Sequence, residues 1–183
     1  ELTMSIYGMT KDTKLAPMMK MMAQGEAKGV TMYYALARIA SEQGMNQEIV
    51  NTFIEAGNQE AKHAGFYAAI NGDYPQDFWT LVYGLAKAEA KGEGSVQALA
   101  DKVRGAGFEA AADDMEAFAK EEGHHGVILG RILSKYGPKI DVEGKVRYIC
   151  AVCGYEHIGD INDEPDDYVC PLCGQPKTVF KKA

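Results

Sequence analysis

Two short segments of the chain pair a glutamate with a histidine three residues later, a spacing that can bind a metal ion. These segments are Glu60–His63 and Glu122–His125. Residues three apart on a helix lie on one face, so each segment directs a carboxylate and an imidazole the same way. One glutamate precedes each segment by a little over thirty residues, Glu26 in the first case and Glu89 in the second. This order of ligands is the one that a four-helix bundle uses to bind two metal ions.

The second segment has a competing register, because Glu121 and His124 have the same spacing. Counted from Glu122, the residues at −7, −4, +7 and +11 are apolar, whereas counted from Glu121 the residue at −7 is Asp114. The inward stripe of a helix is apolar. The pattern therefore selects Glu122 and His125 as the ligands.

The four carboxylates and two imidazoles would be costly to bury without compensating charge. Two divalent cations would neutralise the carboxylates, and neutral histidines would complete the coordination. Oxygen-rich ligation with one imidazole per metal is typical of iron or manganese. We therefore predict two iron ions, with manganese as the alternative, and a pair of irons is suited to cleaving an O–O bond.

One tyrosine lies on the same predicted helix stripe as the first glutamate. Tyr33 is seven residues after Glu26, so its hydroxyl could reach the metal centre and take part in catalysis. The alternative is that Tyr33 is an aromatic residue of the core. We predict Tyr33 as the catalytic candidate.

All four cysteines fall in the last 34 residues, as the pairs Cys150/Cys153 and Cys170/Cys173 with sixteen residues between them. Two Cys-x-x-Cys turns at this spacing place four thiolates tetrahedrally around one metal ion. A glycine follows each pair and permits the turn. The spacing alone allows a structural zinc or a single iron that transfers electrons. The accompanying two-metal bundle favours iron, with zinc as the alternative.

Four helices with apolar stripes must position the inner ligands. Cap and turn residues predict their limits at about 17–44, 46–71, 77–105 and 108–136. The sequence Glu-Ala-Lys-Gly occurs at 26–29 and again at 89–92, which indicates a duplicated helical hairpin. We predict a mainly α fold with a four-helix bundle over residues 1–140 and a small β metal-binding domain over residues 145–183.

Composition excludes some classes of function. The net charge of −7 argues against a nucleic-acid surface, which needs a basic stripe. No run of eighteen apolar residues predicts a membrane span, and the first residues do not resemble a signal peptide. Cysteines spaced for a metal rather than for disulfides favour a reducing, cytoplasmic location.

The motifs resemble those of the rubrerythrin family over about residues 15–181. The residues that carry the resemblance are Asn-Gln-Glu-Ala-Lys-His at 58–63, Glu-Gly-His-His at 122–125, Tyr-Ile-Cys-Ala-Val-Cys-Gly-Tyr at 148–155 and Cys-Pro-Leu-Cys-Gly at 170–174. The resemblance implies a ferritin-like bundle followed by a rubredoxin-like domain. It also implies a non-haem di-iron peroxidase that reduces hydrogen peroxide to water, with an electron-donor reductase or a rubredoxin as partner.

The same resemblance implies a set of metal ligands. The di-iron ligands would be Glu26, Glu60, His63, Glu89, Glu122 and His125, and the four cysteines would bind the single iron. The family usually has a seventh ligand, a glutamate three residues after the one in the third helix. Gly92 stands at that position here, and Glu93 follows it. Either Glu93 takes the role through a local bulge, or the centre lacks this carboxylate.

The connection between the second and third helices is short for a ferritin-like bundle. For Glu60 and Glu89 to meet at one level, the chain must retrace about 33 Å along the helices. Residues 72–76 can span only about 17 Å. We therefore predict a domain-swapped homodimer, in which the first two helices of one chain complete the metal centre with the last two of another.

Two other functions share parts of this pattern. A ferroxidase or iron-storage subunit would use the bundle but would not need the C-terminal electron relay. A metal-binding protein with a structural zinc ribbon would need no turnover. Visible absorption distinguishes iron from zinc in the four cysteines, because ferric iron bound to four thiolates is red and zinc is colourless.

Overall fold

The computed structural model describes residues 5–74, 77–138 and 142–183. Four long helices precede a small three-stranded sheet. The helices are α1 (Ala16–Glu42), α2 (Gln47–Asn71), α3 (Phe78–Gly105) and α4 (Glu109–Tyr136). Their limits agree with those predicted from the cap and turn residues. The predicted absence of a signal peptide rests partly on residues 1–4, which lie outside the described residues.

Local chemistry explains where the helices begin and end. The side chains of Asn46 and Asp77 accept hydrogen bonds from the backbone N–H groups of Glu48 and Thr80, which caps α2 and α3. Gly72 follows α2 with a φ of +67°, a conformation that favours glycine. Each of these signals is local, so the sequence alone predicts where the helices begin and end.

The described residues up to Tyr74 form one compact unit. Helices α1 and α2 pack as an antiparallel hairpin around Ala37, Ala40 and Val50, which are all buried. Gly57 of α2 is buried against the ring of Tyr34. Small residues at this contact allow the two helices to approach closely.

The described residues from Asp77 onward form the second compact unit. Helices α3 and α4 form a second hairpin, whose small buried residues include Ala88 and Ala119. Arg104, near the end of α3, binds three carboxylates of α4. These are Glu109, Asp113 at 2.8 Å and Glu116 at 2.7 Å.

The same unit contains the small C-terminal domain. Its strands are β1 (Arg147–Cys150), β2 (Glu156–Ile158) and β3 (Phe180–Lys182), in the antiparallel order β2-β1-β3. Buried residues form its core, and Leu81 of α3 packs against them. The core residues are Cys150, Tyr155, Ile161, Cys170 and Phe180.

The predicted fold class, mainly α with a small β metal-binding domain, is confirmed. The predicted domain boundary at residue 140 lies outside the described residues and stays a prediction. The compact units divide the chain elsewhere, after residue 76, because α3 packs against the C-terminal domain. Within the described residues, no helix combines the length and the apolar character needed to cross a bilayer.

Candidate metal centres

The first hairpin brings three of the predicted ligands together. Glu26 of α1 and Glu60 and His63 of α2 offer ligand atoms within 4.8 Å of one another. His63 Nδ1 lies 3.7 Å from Glu26 Oε2 and 3.9 Å from Glu60 Oε2. The carboxylates are partly buried, whereas 56% of the His63 side chain is exposed. We call these three residues the first half-site.

The second hairpin repeats this arrangement. Glu89 of α3 and Glu122 and His125 of α4 also offer ligand atoms within 4.8 Å. His125 Nδ1 lies 3.5 Å from Glu89 Oε2 and 3.7 Å from Glu122 Oε2. We call these residues the second half-site. Among the described residues this cluster contains Glu122 and His125 and not Glu121 or His124, and their role as metal ligands stays a prediction.

Each half-site depends on a glycine one helical turn after its first glutamate. A Cβ atom at Gly29 would lie 3.3 Å from the Glu60 carboxylate, and a Cβ atom at Gly92 would lie 3.2 Å from Glu122 Cβ. Both distances are tighter than ordinary packing. In each copy of the Glu-Ala-Lys-Gly motif, the glutamate is a candidate ligand, and the glycine leaves space for the glutamate of the neighbouring helix.

Close carboxylates shape the electrostatics of both half-sites. A hydrogen bond with the Glu26 carboxyl group, with some burial, raises the pKa of Glu60. Burial, and then the hydrogen bond with Glu122, raises the pKa of Glu89. Such pairs favour a shared proton or a bound cation. Two carboxylates and one imidazole per half-site are a donor set that fits iron or manganese.

Two other predicted residues lie outside these clusters. Glu93 is on α3 but packs over α4, where its Cδ lies 2.9 Å from the place of a Cβ at Gly123. Tyr33 is half-buried on α1, and its ring stacks on Phe53 of α2 with centroids 6.4 Å apart. The ligand role of Glu93 and the catalytic role of Tyr33 stay predictions.

The four cysteines form a third cluster, with Sγ atoms within 4.8 Å of one another. Cys150 Sγ lies 3.7 Å from Cys173 Sγ, and Cys153 Sγ lies 3.5 Å from Cys170 Sγ. Backbone N–H groups of the following residues also point at the sulfurs. The predicted turns after each pair are present, since both following glycines have a positive φ, +79° and +69°.

Burial and the neighbouring thiols raise the pKa of Cys153 far above its usual value. A metal cation reverses this effect, because it stabilises the thiolate form. Four convergent sulfur donors with backbone N–H groups around them fit a single iron or zinc ion.

Sequence reasoning missed the residues that join the C-terminal domain to α3. Tyr155 packs on Gly84, and Glu156 of β2 pairs with Arg147 beside Tyr83. A cavity of about 470 Å³ in the second unit is lined by Glu89 and Glu122 on one side and by Cys150 and Cys153 on the other. A glycine inside a helix is a weak hint of close packing, and the rest of this contact has no signal in the sequence.

The fold and these clusters define a ferritin-like protein with a C-terminal rubredoxin-like domain. Residues 148–181 match the family model for the rubrerythrin rubredoxin-like domain. The chain is 30% identical over 129 residues to the uncharacterized protein MJ0746 of Methanocaldococcus jannaschii, an alignment that covers 70% of this chain and 91% of that protein. The chain therefore belongs to the same family as that archaeal protein, and its C-terminal domain belongs to the family of rubredoxin-like domains of rubrerythrins.

Solved structures of nigerythrin also match the whole chain at 21% identity. The mixed-valence state has a TM-score of 0.32 and the fully reduced, all-ferrous state a TM-score of 0.33, with 94% and 95% of those chains covered. The partially reduced state has a TM-score of 0.31.

Proposed function

We propose that this protein is a peroxidase that reduces hydrogen peroxide to water with electrons relayed through its rubredoxin-like domain. The observation that carries the proposal is the presence of two matching Glu/Glu/His clusters and one four-cysteine cluster in a single chain. When bound, the irons supply two electrons that convert one hydrogen peroxide and two protons into two water molecules. A storage protein would have no use for the four-cysteine cluster as a relay.

The chain's own residues hold the ions and manage protons. The raised pKa values of Glu60 and Glu89 favour their protonated carboxyl forms. These groups release their protons when a cation binds. The Tyr33 hydroxyl is the proposed proton donor or hydrogen-bond donor to the bound oxidant. Its packing on Phe53 holds the ring in place on α1.

The complete centre is proposed to form between two copies of the chain. Each half-site offers three ligands, and its histidine is half-exposed. Large apolar side chains are also exposed along both hairpins, among them Leu36, Ile39, Phe118 and Ile132. A domain-swapped homodimer would bury such residues and join a first half-site to a second one.

The external electron source is proposed to be a reductase or a small rubredoxin that delivers one electron at a time. It would reduce the four-cysteine domain, and hydrogen peroxide would be the final oxidant. The acidic chain, with a net charge of −7, favours a donor with a basic docking surface.

Stopped-flow absorbance tests the function. The iron-loaded protein is reduced without air and then mixed with hydrogen peroxide or, separately, with dissolved oxygen. Rapid return of the red ferric-thiolate colour with peroxide, and slower return with oxygen, is expected. A Glu122→Ala variant should keep the colour in the oxidised state and lose its rapid return.

Other outcomes point to other functions. If the red colour returns no faster with peroxide than with oxygen, the proposed peroxidase activity is contradicted, and a bundle that oxidises iron is favoured. A colourless protein after iron loading would indicate a structural zinc ribbon.

A further inference from the structure

The rubredoxin-like domain is held against α3 of its own chain by a contact that requires glycine. Gly84 of α3 is buried, and a Cβ atom there would lie 2.8 Å from both Cδ2 and Cζ of Tyr155. Real Cβ atoms do not tolerate such distances. Tyr155 itself is 2% exposed. The Tyr155 ring therefore occupies the place that a side chain at position 84 would need.

Polar contacts next to the Tyr155 ring also fix the orientation of the rubredoxin-like domain on α3. Glu156 is only 7% exposed, and Arg147 Nη1 donates a hydrogen bond of 2.7 Å to its Oε1 atom. The Tyr83 hydroxyl donates to the same oxygen at 3.4 Å. A buried carboxylate needs such partners, and one of them comes from α3. Sliding the domain along α3 would remove Tyr83 from this carboxylate.

Further along α3, a second glycine contact continues the same interface. Gly154 has a φ of +79°, and a Cβ atom there would lie 2.7 Å from Lys91 Cδ. Gly154 directly follows Cys153, and Lys91 lies between Glu89 and Gly92 in sequence. The interface thus runs along α3 toward the second half-site, and Lys91 is beside a cysteine turn.

At the end of this interface, residues from both candidate ligand clusters of the second unit line one cavity. It has a volume of about 470 Å³ and is bordered by Glu89, Glu122, Cys150 and Cys153, with Leu172 from the second cysteine turn. Two cysteines of the rubredoxin-like cluster therefore line the same cavity as two carboxylates of the half-site carried by α3 and α4 of that chain.

We infer that Gly84 is a positioning residue that docks the rubredoxin-like domain on α3, so that electrons pass from it to the second half-site of its own chain. The inference rests on the proposed function and specifies its route. An external one-electron reductant supplies each electron. Two such transfers, together with two protons, balance the conversion of one hydrogen peroxide to two waters.

The test compares Gly84→Leu with Gly94→Leu in the full-length protein. Both glycines are on α3, but a Cβ at Gly94 meets nothing within 4 Å. Circular dichroism and the ferric-thiolate spectrum establish that each variant folds and binds iron. If Gly84→Leu does not fold, Gly84→Ala is used, because even its single Cβ overlaps the Tyr155 ring.

The first readout does not depend on turnover. Trp79 is the only tryptophan of the chain and lies on α3, five residues before Gly84. Ferric iron in the four cysteines should quench its emission relative to zinc in the same cysteines. We expect Gly84→Leu to lose most of this difference and Gly94→Leu to keep it. Unchanged quenching in Gly84→Leu would overturn the docking role.

The second readout is the return of colour with peroxide, which should slow several-fold in Gly84→Leu only. If Gly84→Leu loses the Trp79 quenching but its colour returns at the wild-type rate, the proposed electron-transfer route within one chain is overturned. If the wild-type protein shows no return of colour, the proposed function fails, and the Trp79 measurement still decides the docking.

Mixed dimers separate transfer within a chain from transfer between chains. One chain carries Cys150→Ser, and the other carries Glu122→Ala with His125→Ala. The mixed dimer then has an intact second half-site only on the chain without a relay. We expect no return of colour with peroxide. Recovery of rapid colour return would overturn the route within one chain.

Discussion

At the scale of single residues, the half-sites combine ligands with glycines that make room for them. Gly29 and Gly92 each lie against the glutamate contributed by the neighbouring helix. The family's extra glutamate would occupy the position of Gly92. In this chain Gly92 leaves space for Glu122, which makes the two half-sites close copies of each other, and Glu93 stays the candidate for the additional carboxylate.

Replacing Gly92 by alanine should weaken metal binding while leaving the helix intact. The new Cβ would lie 3.2 Å from Glu122 Cβ, so this ligand must shift, and we expect a loss of about tenfold in metal affinity. Gly94→Ala is the matched control, since both variants gain helix propensity of up to about 1 kcal/mol. Calorimetric titration with Mn²⁺ measures the affinity. Equal affinities in the two variants would contradict the role of Gly92.

Metal affinity should fall with decreasing pH, beginning above the ordinary titration range of glutamate. The pKa values of Glu60 and Glu89 are raised, so protons compete with the cation at higher pH than usual. In the metal-free protein these two groups have the opposite pH dependence: they contribute more to folding stability at low pH than at high pH. A raised carboxyl pKa stabilises the fold at low pH, and this contribution is lost as pH rises through the folded-state value.

The measurement is Mn²⁺ affinity across this pH range, with thermal unfolding of the metal-free protein beside it. Glu60→Gln removes one of the two titrating groups and should flatten both dependences. A metal affinity that does not change between the titration range of glutamate and neutral pH would show that these carboxyl groups have ordinary pKa values.

At the scale of elements, α3 has two tasks. One part of it carries Glu89 and the glycine that accommodates Glu122, and another part carries Leu81 and Gly84, on which the rubredoxin-like domain packs. Because one rigid helix carries both, its start must be well anchored. Asp77 provides this anchor by accepting hydrogen bonds from the Thr80 backbone N–H at 3.2 Å and the Thr80 hydroxyl at 2.7 Å.

Asp77→Ala should destabilise the protein by about 1 kcal/mol, the usual effect of removing an N-cap. Asp77→Asn keeps a capping oxygen and is expected to lose much less. The hydrogen bonds from Thr80 also lower the pKa of Asp77. The contribution of this charge to stability is therefore present above the unfolded-state pKa and disappears as pH falls through the lower, folded-state value. Urea unfolding followed by Trp79 emission measures both effects, and identical midpoints for the alanine and asparagine variants would contradict the cap.

At the scale of the whole molecule, each helical hairpin carries three of the six Glu and His residues proposed to bind the two ions. The connection between the hairpins includes residues 75 and 76, which lie outside the described residues. The swapped dimer is therefore predicted from chain length, because about 17 Å of chain cannot retrace about 33 Å.

Sedimentation at micromolar concentration should show a particle of twice the 19.9 kDa chain mass. Inserting about ten flexible glycine and serine residues between Asp73 and Asp77 would lengthen the crossover enough for one chain to close its own bundle. The lengthened variant should then contain monomer that still binds two ions. An insertion of equal length after Gly144 should leave the protein dimeric. A wild-type protein that sediments only as a monomer would exclude the swap.

The sequence alone predicted the ligand pairs within each helix or turn, because their chemistry is local. Glu60 and His63, like Glu122 and His125, are one helical turn apart, and the cysteine pairs lie in tight turns. The helix ends were equally readable from Asn46, Asp77 and the glycines that follow the helices. The internal repeat of Glu-Ala-Lys-Gly also showed that Glu26 and Glu89 have equivalent places.

Only the tertiary structure decided which distant residues share a surface. Position 84 is one glycine among several in the helices, and nothing around it in sequence points to Tyr155, seventy-one residues later. The same holds for the pairing of Tyr83 with Glu156 and for the cavity between the half-site and the cysteines. Periodicity and spacing report contacts within a turn of helix or a short loop, whereas contacts between elements depend on packing shape, which no local pattern encodes.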